Sequence, residues 1–318
     1  MKFFQIDDPR EVIPIGCRLL QLFGLGSDDK LKLLYWVQCV FYFVFSLIPR
    51  VLMEIPDTVT LLRLVSELTF VSYLYCQILG LYFRRNQLYR LIGKLQTCCD
   101  KPYAEKIVTF IERSIAKINK LSVTCCKYFL FAFTLYCTLP LIASCAVYVR
   151  NLHNQTGAQE EYIISSEMKY GLGGLHNVFK LFLIALFLIS SLYYLDIRYD
   201  LLYYAFYTVI IFLLTVTSAL SLCVKDVVDV SLINTTSVML EVTAMQIRQL
   251  RGRITEPELT IVIDSHQETL QCANNLQDAL NLSLLIQLTF CSAIWCLMLF
   301  YILLMVCMLC ELKMYKLN

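Results

Sequence analysis

Cysteine and histidine are the side chains of this sequence best suited to metal or redox chemistry, but their spacing does not support either. There are 15 cysteines and three histidines. Neighbours on a helix point about 100° apart, so neither Cys98-Cys99 nor Cys125-Cys126 forms a ready metal site. The histidines lack the spacing that zinc or a catalytic triad requires. We therefore predict no metal, no cofactor and no enzymatic activity.

A few charged side chains interrupt long apolar stretches. An ionisable group inside a membrane helix is costly, which makes Glu67 a functional candidate with Arg50 as a possible partner, although both could instead reach the interface. Lys225 and Asp229 lie four residues apart. On one helix this spacing predicts a solvated ion pair worth about a few tenths of a kcal/mol.

The elements that carry these residues are too apolar for a soluble protein. The sequence is 58% hydrophobic with a mean hydropathy of +0.63. The runs are continuous and rich in leucine, whereas a membrane β-barrel would alternate apolar and polar residues. We predict an all-α polytopic membrane bundle with spans at residues 33–53, 61–83, 128–149, 201–224 (with a helical extension to 250) and 284–304. The net charge of +2 gives no indication of nucleic-acid binding.

The distribution of charge predicts the orientation. Residues 54–60, between the first two spans, contain no lysine or arginine, whereas residues 84–127 contain ten. Positive segments stay inside, so we predict a cytoplasmic N-terminus. Asn154-Gln155-Thr156 then lies outside, where it predicts glycosylation of Asn154.

Two segments leave alternatives open. The basic segment has apolar residues at helical spacing, which fits either a helix on the inner leaflet or cytoplasmic extensions of the spans that pack together. Its periodic residues are Leu88, Leu91, Ile92, Leu95, Ile107, Phe110, Ile111, Ile115 and Ile118. The apolar run at residues 179–194 is short for a span, and we interpret it as extracellular or interfacial rather than membrane-crossing.

Several motifs, in this order, resemble those of insect odorant receptors. Pro14 precedes Arg18-Leu19-Leu20-Gln21-Leu22-Phe23-Gly24-Leu25, which is similar to the family's opening segment. The resemblance continues at FRRNQLYRLI (83–92), at DIRY (196–199) with LLYY (201–204), and at LLIQLTFCS (284–292).

The resemblance implies a seven-span, odorant-gated cation channel subunit that forms a hetero-tetramer with the odorant receptor coreceptor. Such a subunit would lie in the lipid of the plasma membrane of olfactory sensory neurons. Its cytoplasmic helical extensions would form the anchor where subunits meet. Family members continue with a sixth and a seventh helix, which are not visible here. We therefore expect an incomplete or alternatively spliced product.

The predicted topology also suggests where a small volatile odorant would bind. Aromatic and aliphatic walls with a few hydroxyls suit such a ligand, because desolvation supplies most of its affinity. The candidates in the outer halves of the second to fourth spans are Phe70, Tyr73, Thr138, Ile142, Tyr148, Tyr203, Phe206 and Tyr207. For any one of these residues, helix packing or interface anchoring is a more frequent role than ligand contact. The alternative functions are a gustatory receptor tuned to tastants and a truncated, non-conducting membrane protein.

Overall fold

The regular structure of the described residues is helical. The computed structural model describes residues 4–6, 8, 10–26, 32–47, 58–153, 201–250 and 255–315. Its helices are α1 (Pro14–Leu22), α2 (Lys32–Tyr42, followed by a π-helical turn at Phe43–Leu47), α3 (Thr58–Cys99), α4 (Glu105–His153), α5 (Leu201–Gln249) and α6 (Glu256–Tyr315).

The four long helices are much longer than a membrane crossing requires. Even α3, with 42 residues, is about 63 Å long, roughly twice the thickness of a hydrocarbon core. Each of the four is apolar enough over part of its length to cross a membrane. The prediction of an all-α multi-pass bundle is confirmed. The first predicted span corresponds to α2 and the π-helical turn as far as Leu47, and its remainder lies outside the described residues, as does the run at 179–194.

The chain divides into two compact units, and each long helix contributes to both. Unit 1 comprises Met1–Val37, Cys76–Leu130 and Ala219–Ile286. Unit 2 comprises Gln38–Tyr75, Phe131–Ser218 and Gln287–Asn318.

The core of unit 1 is built from the periodic residues of the basic segment. Of the nine apolar positions in that pattern, all except Phe110 are buried. α3 continues without a break to Cys99, and α4 begins at Glu105 and runs into its apolar section. The helices therefore extend through the basic segment and pack there, as the second of the two interpretations predicts.

The N-terminal segment is attached to unit 1 by hydrogen bonds and close packing. The backbone N–H of Val12 donates to Gln96 Oε1 at 2.8 Å, and Arg10 Nη2 lies 2.7 Å from Glu112 Oε1. A Cβ added at Gly16 would clash with Ile13 Cγ2 and lie 3.0 Å from Val228 Cγ2 of α5, so a larger residue at this position would require its neighbours to shift. Burial, and to a smaller extent Glu11, raises the pKa of the Cys17 thiol to about 11, which keeps it protonated at neutral pH.

A cluster of buried charges joins three helices of unit 1. Lys225 Nζ lies 3.4 Å from Asp229 Oδ2, and their side chains are only 2% and 5% exposed. Arg84 of α3 adds a third charge, 3.7 Å from Asp229 Oδ1, and donates to the carbonyl of Ala279 in α6 at 3.2 Å. The prediction of a solvated Lys225–Asp229 pair is therefore wrong, because the sequence pattern of α5 did not reveal that α3 and α6 cover this face.

Unit 2 presents apolar side chains outward. In their most apolar 18-residue stretches, α4 and α6 are 11% and 6% buried, against 39% for α3 and for α5. Such outward-facing apolar surface is what lipid accommodates. Ring contacts join helices within the unit, including Tyr73 with Phe290 at 5.7 Å between centroids. Glu67 pairs with Arg63 on its own helix at 3.3 Å, and the predicted partner Arg50 lies outside the described residues.

The buried cluster predicts an asymmetry between two neighbouring aspartates. Asp229→Asn leaves Arg84 and Lys225 buried without the carboxylate between them, a change that costs about 3–5 kcal/mol of stability. Asp226→Asn is the matched control, because Asp226 also contacts Lys225 but its side chain is 38% exposed. Thermal unfolding of the detergent-purified protein should show a large loss for Asp229→Asn and a small one for Asp226→Asn. Equal melting temperatures would contradict this reading of the cluster.

Candidate ligand-binding site

A pocket lies in unit 2 between one section of α4 and one section of α5. The pocket is partly open to the outside. The residues that line it are Tyr136, Cys137, Pro140 and Leu141 of α4, and Tyr204, Tyr207, Thr208, Ile211, Phe212 and Thr215 of α5.

The helical repeat explains why these residues of α5 share the pocket. Residues 204, 207, 208, 211 and 215 occupy positions i, i+3, i+4, i+7 and i+11 and so lie on one face of the helix. On α4 the same argument joins Tyr136, Cys137, Pro140 and Leu141. Pro140 lies inside α4 and has no backbone N–H, so the helix lacks one ordinary hydrogen bond at the pocket wall.

Contacts between the two helices fix the walls of the pocket. The Tyr204 hydroxyl donates to Ser144 Oγ at 2.7 Å, and both side chains are buried. Phe133 and Phe212 pack with ring centroids 5.7 Å apart. The pocket therefore has a rigid aromatic side, which reduces the entropy lost when a ligand binds.

The electrostatic character of the pocket follows from its composition. All of the lining residues are uncharged, so a charged ligand would lose its hydration without gaining a counter-charge. The lining is mainly aromatic and aliphatic, with threonine and tyrosine hydroxyls as the principal polar groups. This arrangement suits a small, uncharged, mostly apolar molecule and offers no group placed for bond-making chemistry.

The structure places the sequence-predicted residues in different surroundings. Tyr207 lines the pocket and is 5% exposed. Tyr73 is also buried but packs on Phe290. Phe70, Ile142, Tyr148 and Phe206 are exposed, and Thr138 is partly exposed, with its hydroxyl donating to the Thr134 carbonyl. The side chain of Tyr203 and the whole of Asn154 lie outside the described residues.

Sequence reasoning did not select the other nine lining residues. Extending the helical repeat from Tyr207 would have found Tyr204, Thr208, Ile211 and Thr215 on α5. Pro140, within an apolar span, was a visible signal on α4. Among the described residues, no group of three or more His, Cys, Asp or Glu side chains is placed to hold a metal ion.

The fold and the pocket together define a class, a multi-pass α-helical membrane protein with an uncharged pocket in its apolar part. The family model described as "7tm Odorant receptor" matches residues 57–315, which is most of the chain. The chain therefore belongs to the 7tm odorant receptor family, and its role is that of a chemosensory receptor. Among curated proteins, none matches the chain significantly.

The contact between Tyr204 and Ser144 generates a prediction about stability. Tyr204→Phe removes the hydroxyl that donates to Ser144 and should destabilise the protein by about 0.6 kcal/mol, the mean for hydrogen bonds between membrane helices. Tyr148→Phe is the control, because Tyr148 is on the exposed side of α4. The measurement is thermal unfolding of both variants, of Ser144→Ala, and of the Tyr204→Phe/Ser144→Ala double variant. Additive losses from Tyr204→Phe and Ser144→Ala would show that this hydrogen bond contributes nothing.

Proposed function

We propose that this chain is the odorant-binding subunit of a cation channel formed with the odorant receptor coreceptor in the plasma membrane of olfactory sensory neurons. The observation that carries the proposal is the uncharged pocket of unit 2 in a chain that belongs to the odorant receptor family. A small volatile would enter this pocket and bind mainly through removal of its apolar surface from water.

Ligand binding could affect gating through the two helices that line the pocket. Both α4 and α5 continue from unit 2 into unit 1. A ligand shifts a conformational equilibrium only by its difference in affinity for the two states. An odorant would therefore favour channel opening if the sections of α4 and α5 at residues 136–141 and 204–215 fit it better in the open state.

The test of ligand binding is odorant-evoked current in cells that express this chain together with the coreceptor. Tyr207→Ala removes a buried aromatic wall of the pocket and should raise the half-maximal odorant concentration by about tenfold or more. Phe206→Ala is the matched control, because Phe206 is adjacent in sequence, is 50% exposed and does not line the pocket.

Four outcomes separate the possibilities. A selective effect of Tyr207→Ala supports the proposal, and equal effects of Tyr207→Ala and Phe206→Ala contradict the pocket assignment. Absence of current to a broad panel of volatiles, despite surface expression, contradicts the channel function. Responses to tastants alone would favour the related gustatory receptors.

The orientation of the chain is part of the proposal and has its own test. Ten basic residues in the segment 84–127 support a cytoplasmic N-terminus, which places Asn154 outside the cell. We expect an N-glycan on Asn154, seen as a mobility shift on glycosidase treatment that Asn154→Gln abolishes. Asn281→Gln is the control, since the sequon Asn281-Leu282-Ser283 falls on or near the inner side in the same topology. A glycan that persists in Asn154→Gln and disappears in Asn281→Gln would reverse the orientation.

A further inference from the structure

Three of the five hydroxyl groups that line the pocket donate their proton to another atom of the protein. Thr208 Oγ1 donates to the Tyr204 carbonyl at 2.8 Å, and Thr215 Oγ1 donates to the Ile211 carbonyl at 2.7 Å. The phenol of Tyr204 donates to Ser144 Oγ at 2.7 Å. All three hydroxyls belong to residues that line the pocket.

A hydroxyl carries one proton and two lone pairs. Once the proton is committed to a protein acceptor, the oxygen can only accept a further hydrogen bond. Tyr136 and Tyr207 also line the pocket, and the thiol of Cys137 is a weak donor. Three of the five lining hydroxyl groups, those of Tyr204, Thr208 and Thr215, can therefore only accept a hydrogen bond from a ligand.

We propose that the pocket selects small uncharged ligands that donate a hydrogen bond, namely alcohols, over isomeric ethers that can only accept one. This inference rests on the ligand site named in the proposed function and adds the chemical class of the ligand. An alcohol donates to Thr208 or Thr215 while its carbon skeleton contacts the aromatic and aliphatic walls.

The energetic reason is that alcohols and ethers differ in the hydrogen bonds that they can form in the pocket. An ether oxygen that gives up its hydrogen bonds to water beside Thr208 or Thr215 gains no hydrogen bond from them in exchange. An alcohol exchanges a hydrogen bond to water for a hydrogen bond to a threonine hydroxyl. The net value of such a bond corresponds to a preference of about three- to tenfold. A charged donor such as an ammonium is disfavoured because the lining residues provide no opposite charge.

Benzyl alcohol and anisole make a matched pair of probes, because both are C₇H₈O and differ in the presence of an O–H. The experiment is photolabelling of the purified full chain in lipid nanodiscs with a diazirine-bearing benzyl alcohol, followed by mass spectrometry of the peptides that contain residues 136–141 and 204–215. Each competitor is titrated, and its free aqueous concentration is measured to correct for partition into lipid. We expect benzyl alcohol to displace the label at a three- to tenfold lower free concentration than anisole.

Variants on α5 test the cause of this preference. Thr208→Val/Thr215→Val removes both acceptor hydroxyls with little change in shape and should abolish the difference between the two competitors. Thr208→Ser/Thr215→Ser keeps the hydroxyls and should retain it. Thr217→Val is the matched control, since Thr217 makes the same type of bond, to the Leu213 carbonyl, but does not line the pocket.

The proposal is overturned if anisole competes as well as benzyl alcohol, if the valine double variant keeps the preference, or if the label does not map to these peptides. The measurement uses neither the coreceptor nor ionic current. A chain that shows the alcohol preference but supports no odorant-evoked current would therefore refute the proposed channel function and leave this inference standing.

Discussion

The absence of water in the hydrocarbon core dictates the chemistry of this protein as well as its secondary structure. Backbone N–H and C=O groups in lipid must be satisfied within the chain, so the spanning elements are helices. The same constraint acts on side-chain hydroxyls, and Thr208, Thr215 and Thr217 each donate to the carbonyl four residues earlier. As a result, Thr208 and Thr215 present to the pocket between α4 and α5 oxygen atoms that accept hydrogen bonds.

Unit 1 contains a cluster of buried charges in addition to buried hydroxyls. Arg84, Lys225 and Asp229 come from two helices, and Arg84 also binds a carbonyl of a third. Buried charges add little net stability when paired but are costly when separated, so the cluster favours one relative placement of α3, α5 and α6. Unit 1 thus contains the charge cluster that favours one placement of its helices, whereas unit 2 contains the outward-facing apolar surface and the pocket.

Local patterns predicted the class of fold and the helical character of the basic segment, because continuous apolar runs and helical periodicity are properties of single elements. Residues such as Leu88 and Ile111 were identified as a packing face from spacing alone. The burial of Lys225 and Asp229 was not predictable in this way, because it depends on α3 and α6. The pocket was predictable only in part for the same reason: the aromatic content suggested Tyr207, whereas Phe206, one residue away, points to the exposed side. Which of many Tyr and Phe residues face each other is decided by the rotation of each helix.

The central claim is that a small uncharged molecule occupies the space between residues 136–141 of α4 and 204–215 of α5. The most direct measurement is a cryo-electron microscopy map of the chain assembled with the coreceptor, recorded with and without a saturating agonist that bears a bromine atom. The account predicts ligand density in contact with Tyr207 and Thr208 that disappears without the agonist. Agonist density elsewhere in the assembly, with this pocket unchanged in the two maps, would contradict it.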